Sequence, residues 1–227
     1  MEFSIRLNAV SDPKASVRAF ATIAFGESFK ITNVAVVEGK DRQPFVSMPS
    51  FKSKERDEHN RAVYKDVCNP ITKTFREELY GEILDLYAEM EYSGRAEIVK
   101  EVEETLEPEF TVKVTPFERE GSNVLGLARI YFEGCFVVGN VSILKGEENA
   151  FVAMPSYRTG QIGKDGKPRY QDVCFPITKQ FRKNLYDTIL AVYQQEKELA
   201  AEKSRKKAET QVQERAEGRQ RQELPFH

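Results

Sequence analysis

FVSMPSFKSKERDEHNRAVYKDVCNPITKTFREELYGEILDLY, residues 45–87, is written a second time at 151–193 as FVAMPSYRTGQIGKDGKPRYQDVCFPITKQFRKNLYDTILAVY, without a gap. Set 106 positions apart, the two stretches agree at 20 of 43 places, among them Met48-Pro49-Ser50 with Met154-Pro155-Ser156 and Asp66-Val67-Cys68 with Asp172-Val173-Cys174. Upstream the correspondence continues at a spacing of 107, where Glu2-Phe3 meets Glu109-Phe110, Asn33 meets Asn140 and Gly39 meets Gly146, so the loop after Gly39 has gained or lost a residue. A unit of about 90 residues is too long for a solenoid repeat and long enough to bury a core of its own or to share one with its twin. The chain therefore reads as two modules, 1–92 and 109–194, joined by a polar connector, 93–108, and followed by a charged tail, 195–227.

The first half of each module alternates apolar with polar residues. Phe3, Ile5, Leu7 and Ala9 are spaced by two, Val17 to Phe25 repeats the pattern, and Val34-Ala35-Val36-Val37 is continuously apolar, which predicts three strands. Phe110 to Val114, Val124 to Phe132 and Phe136 to Leu144 predict the same three again. Pro13 and Gly26-Glu27, matched by Gly121 and Glu133-Gly134, supply the reversals of an antiparallel meander. After Pro70 and Pro176 the period becomes helical. Thr72 and Thr178 stand where an N-cap is needed, with Phe75, Leu79, Ile83 and Leu86, and Phe181, Leu185, Ile189 and Val192, on one face. Tyr80, Leu84 and Tyr87, with Tyr186, Leu190 and Tyr193, widen that face and predict a helix covered on two sides. The class is α+β, a meander followed by a C-terminal helix, used twice.

Other features exclude more than they assign. No apolar run approaches the 18 or so residues a membrane helix needs, and Arg6 interrupts what would be the apolar segment of a signal peptide. Cys68 and Cys174 are equivalent while Cys135 has no counterpart, which is no disulfide framework; three reduced thiols and a cytoplasmic location are expected. Near a helix start, Cys68 and Cys174 are either small buried hydrophobes or redox-sensitive thiols. His59 and His227 have no twins, so no duplicated metal or nucleophile site is expected. Asp66 and Asp172 recur in the setting of a turn-capping carboxylate, with no second repeated acid or histidine for proton transfer. Neither catalysis nor a cofactor is expected.

The order of meander, Phe-Val-x-Met-Pro-Ser, basic polar loop, Tyr-x-Asp-Val-Cys-x-Pro-Ile-Thr and terminal helix resembles the SpoVG (stage V sporulation protein G) family, over residues 2–90 and 109–194. The resemblance implies modules that pair through their sheets, and a bacterial regulator of septation and sporulation that binds DNA and in some members RNA. It implies here a dimer made covalent, an intrachain pseudo-dimer pairing face to face, and leaves a higher homo-oligomer open. Members commonly follow Met-Pro-Ser with consecutive basic residues; in this chain Phe51 precedes Lys52 and Tyr157 precedes Arg158.

A net charge of −2 gives no overall basic footprint. Locally, 51–76 holds seven basic residues against four acidic ones and 157–183 seven against two. Lys52, Lys73, Arg76, Arg158, Lys179, Arg182 and Lys183 are the candidate nucleic-acid-binding residues, because a helix N-terminus already attracts phosphate and these cations add to it. Module 2 reads as the stronger binder, since Glu77 and Glu78 follow Arg76 in module 1. The competing reading of these charges is a solvated helix face and loop. Phe51 and Tyr157 either stack on unpaired bases or pack against a sheet edge. The connector holds five glutamates and extends the first helix through Ile98 and Val102 on one reading. The tail, with a short basic cluster at 204–207, is either a solvated continuation of the last helix or a disordered arm. A non-catalytic adaptor that binds proteins is the alternative function.

Overall fold

Each period-two segment forms a strand in the computed structural model, which describes residues 1–102, 106–117, 119 and 121–222. β1 (Phe3–Ala9), β2 (Val17–Phe25) and β3 (Phe29–Glu38) form the meander, with Phe3 opposite Phe25 and Phe25 opposite Phe29. β4 (Pro44–Ser47) returns along the far half of β3, Val37 opposite Phe45. β5 (Ser50–Arg56) and β6 (Ala62–Asp66) make a separate two-stranded hairpin, and β7 (Cys68–Pro70) leads into α1 (Lys73–Ser93). After β8 (Glu97–Lys100), module 2 repeats the order as β9 (Phe110–Pro116), β10 (Val124–Phe132), β11 (Phe136–Lys145), β12 (Ala150–Ala153), β13 (Ser156–Ile162), β14 (Pro168–Asp172), β15 (Cys174–Pro176) and α2 (Lys179–Gln222).

The reversals fall where the turn residues predict them. Ser28 N–H donates to the Phe25 carbonyl and Cys135 N–H to the Phe132 carbonyl, each at 3.0 Å. The central residues have positive φ: 50° and 49° at Gly26 and Glu27, 44° and 63° at Glu133 and Gly134. Paired positive φ values give a turn whose twist matches the strands it joins. Glycine is needed first in one turn and not in the other for a local reason. At Gly26 a Cβ would run into the Leu106 carbonyl, because the connector crosses this turn.

The modules pair by exchanging strands, not by laying one sheet on the other. β7 adds antiparallel to β11, with Cys68 opposite Val138 and Pro70 opposite Phe136; β15 adds to β3, with Cys174 opposite Ile31 and Pro176 opposite Phe29. There is room because β4 and β12 cover only the far halves of the outer edges of β3 and β11. The handover falls at Asn33 and Asn140, whose φ values of 61° and 56° sit within bulges in both sheets. Thr32 N–H donates to the Val173 carbonyl and Gly139 N–H to the Val67 carbonyl, both at 2.8 Å, so the backbone groups freed at each bulge are satisfied by the other module. The cores merge behind this seam. The Phe25 ring lies 5.0 Å from Phe136 and 5.8 Å from Phe132, and Phe29 lies 4.7 Å from Phe132. The pseudo-dimer is therefore one hydrophobic core with a covalent connection between its halves.

Thr72 and Thr178 cap the helices, accepting from Phe75 N–H at 3.3 Å and Phe181 N–H at 3.1 Å. Phe75, Leu79 and Ile83, and Phe181, Leu185 and Ile189, are buried as their spacing predicts. The next buried residue is Tyr87 or Tyr193, not Leu86 or Val192. Steps of four carry the stripe about 40° round the helix each time, following the twist of the sheet beneath. Gly94, at φ 66°, closes α1. α2 has no such stop and runs through the tail to Gln222, the helical reading of that segment.

The connector does not extend α1. Beyond Gly94, residues 97–100 pair as β8 with β1, Ile98 opposite Leu7, and Ile98 is buried. Arg6 with Glu97 at 2.7 Å and Lys100 with Glu82 at 2.6 Å tie β8 to the sheet and to α1. β8 thereby covers an edge that would otherwise offer free backbone groups. Among the described residues, β9 has no equivalent cover. No helix in the described residues is long and apolar enough to cross a membrane.

Candidate nucleic-acid interface

The basic segment after each Met-Pro-Ser is a hairpin arm, not a loop. The first arm turns on Asp57, whose carboxylate accepts from His59 N–H at 2.9 Å, Arg61 N–H at 2.8 Å and Arg61 Nε at 2.7 Å. These bonds, that from the Arg61 backbone foremost, hold the Asp57 carboxyl below its ordinary range. The second arm turns through Gly163 to Lys167, with Gly166 N–H donating to the Gly163 carbonyl at 3.0 Å.

Cross-strand register decides what each arm presents. Lys52 stands opposite Tyr64 and Arg158 opposite Tyr170, and the two tyrosines are 64% and 65% exposed. Both arms thus carry a cation beside an open aromatic ring on one face. Phe51 and Tyr157, one residue earlier, lie on the other face, opposite Lys65 and Gln171. The Tyr157 hydroxyl donates to Gln171 Oε1 at 3.0 Å, while Phe51 borders a cleft against the sheet of module 2. Tyr64 and Tyr170 open the repeated Tyr-x-Asp-Val-Cys motif, but sequence alone assigns them no binding role, because nothing in a strand without a buried face marks which residues look outward.

At the helix starts the cations are differently employed. Lys73 pairs with Glu77 at 3.6 Å, and Lys183 with Asp187 at 2.6 Å, a bond that raises the Lys183 pKa. Arg76 Nη2 donates to the Pro70 carbonyl at 3.0 Å and Arg182 Nη2 to the Pro176 carbonyl at 3.1 Å, locking each exchanged strand to its helix. Lys52, Arg158 and Lys179 have no carboxylate partner among the described residues. In the first arm Lys65 pairs with Glu55 at 2.6 Å and Arg61 with Asp57 at 2.7 Å; in the second, Arg158, Lys164, Lys167 and Arg169 form no ion pair among the described residues. The second arm is the more cationic in geometry as well as in count.

The side-chain carboxylates of Asp66 and Asp172 accept no hydrogen bond from the described residues, the Thr32 hydroxyl donating to the Asp172 backbone carbonyl instead, so the turn-capping role expected of them is not seen. Desolvation raises both carboxyls, and the nearby guanidinium of Arg76 or Arg182 opposes the rise. Cys68 and Cys174 are fully buried. Among the described residues no three histidine, cysteine or acidic side chains gather as metal ligands would.

An α+β doublet that trades short strands between its halves, each half carrying a hairpin arm and a capped helix, defines a class of paired-module proteins. The sequence model of the SpoVG family matches this chain twice, over residues 1–89 and 109–195, and the chain belongs to the SpoVG family. Similar proteins named for septation include SpoVG of Borreliella afzelii (strain PKo), 33% identical over 85 residues, which make up 37% of this chain and 81% of the relative. SpoVG of Phytoplasma australiense is 35% identical over 83 residues, 37% of this chain and 79% of the relative. The Treponema denticola protein is 35% identical over 83 residues, with 37% and 81% covered. Each relative spans one module's worth of this chain.

Proposed function

We propose that this protein is a cytoplasmic regulator of septation or sporulation type that acts by binding nucleic acid, without catalysis or a cofactor. The observation that carries the reading is the repeated pairing of a cation with an exposed tyrosine, Lys52 with Tyr64 and Arg158 with Tyr170, on both arms. Guanidinium and ammonium groups attract phosphates, and an open ring offers a face on which a base can stack. Lys179, without an ion-pair partner among the described residues at the start of α2, adds its charge to the amides there. Lys73 and Lys183 contribute less, being engaged by Glu77 and Asp187. Arg76 and Arg182 serve the seam first.

The test is fluorescence anisotropy with labelled duplex and single-stranded oligonucleotides at several salt concentrations. Wild type should bind with an affinity that falls steeply as salt rises, and Lys52→Ala, Arg158→Ala and Lys179→Ala together should flatten the log–log slope by about two to three. Absence of any salt-sensitive binding by wild type would replace this reading with that of a protein-binding adaptor.

A further inference from the structure

Behind the first arm lies a cleft of about 380 Å³ that neither module forms alone. Phe51 and Lys65 come from the arm; Arg129, Tyr131 and Asn140 come from the outer face of the module 2 sheet. The Lys113 ammonium stands 5.4 Å from the centre of the Tyr131 ring. Among the described residues Arg129 and Lys113 have no carboxylate partner and Asp66 is the only acidic side chain lining the cleft. Two aromatic rings and unpaired cations on an outward-facing sheet suit a ligand that is both planar and anionic.

The equivalent surface of module 1 lacks these groups. At the spacing of 107, Thr22 replaces Arg129 and Ala24 replaces Tyr131. Arg6, the counterpart of Lys113, is paired with Glu97, and Glu27 and Glu101 line the hollow there. Whatever the cleft takes, it takes on one side of the doublet.

We propose that this cleft binds single-stranded nucleic acid, with Tyr131 and Phe51 giving ring surfaces to an unpaired base and Arg129 and Lys113 meeting the flanking phosphates. The inference rests on the nucleic-acid reading above and adds a site that the arms and helix starts do not include. Duplex DNA keeps its bases stacked and offers no free face to such a site.

The probe is a labelled oligothymidylate, with a blunt DNA duplex as contrast. Stacking of one base accounts for roughly 1–3 kcal/mol, about 5- to 150-fold in affinity, so Tyr131→Ala should weaken oligothymidylate binding at least fivefold and change duplex binding less than twofold. Arg129→Ala should weaken oligothymidylate binding also, and Tyr131→Phe, which keeps the ring, should stay within twofold of wild type. The chain has no tryptophan, so Tyr131→Trp places a single reporter in the cleft, whose emission oligothymidylate should quench. If oligothymidylate binds without quenching, or Tyr131→Ala binds it like wild type, the cleft is not the site while the wider reading stands. If wild type binds neither probe, both fall together.

Discussion

Cys68 and Cys174 show how far a residue's surroundings govern its chemistry. Proximity to a helix start would favour the thiolate, yet both side chains lie in exchanged strands at zero exposure, and desolvation pushes both thiols far above their ordinary range. Cys135 is half-buried, and burial raises it as well. At pH 8 a thiol-reactive disulfide reagent should therefore report at most one thiol in the native protein and three in urea. The linkage has a definite sign. The folded pKa values exceed the unfolded one, near 8.5, so this contribution is complete below that pH and is lost as pH rises above it. The urea midpoint should fall between pH 7 and pH 10, and a Cys68→Ala/Cys174→Ala variant, less stable outright, should show a shallower fall. Sequence left both readings of these thiols open, since burial at a seam between modules is not written in either module's own pattern.

At the level of elements, the long meander strands facing the core were legible and the exposed strands of the arms were not. β1 to β3 alternate because one side is dry; β5 and β6 are mostly exposed, so charged residues fill both faces and the segment reads as a loop. β8 was hidden differently. Ile98 and Val102 are spaced as on a helix, and only the stop at Gly94 and the free edge of β1 turn that segment into a strand. The bulge in β3 makes a prediction of its own. Asn33 holds φ at 61°, where a side chain without a local polar group costs about 1–2 kcal/mol. Asn33→Ala should lower stability by about 1 kcal/mol in urea titration while Asn33→Gly stays near wild type.

For the whole molecule, the duplication was plain but the manner of joining was not, because three-residue strands such as β7 and β15 are too short to show a period. The candidate cations were likewise legible as clusters, whereas the partners that occupy Lys73, Arg76, Arg182 and Lys183 depend on contacts no spacing reveals. A half cut at about Gly94 keeps an unfilled edge on β3 and bares Phe25 and Phe29, which are fully buried in the intact chain. Residues 1–92 alone should thus associate into a self-paired dimer or fail to fold, as light scattering and circular dichroism would show; a stable folded monomer would contradict the shared core. In a dimer of identical subunits every substitution appears twice, and a molecule with that symmetry meets its ligand the same way from either end. Joining the halves removed that constraint. With β8 sealing one flank and Arg129 and Tyr131 lining a cleft on the other, the protein has a polarity, and any ligand long enough to lie across it would meet two different surfaces in a fixed order.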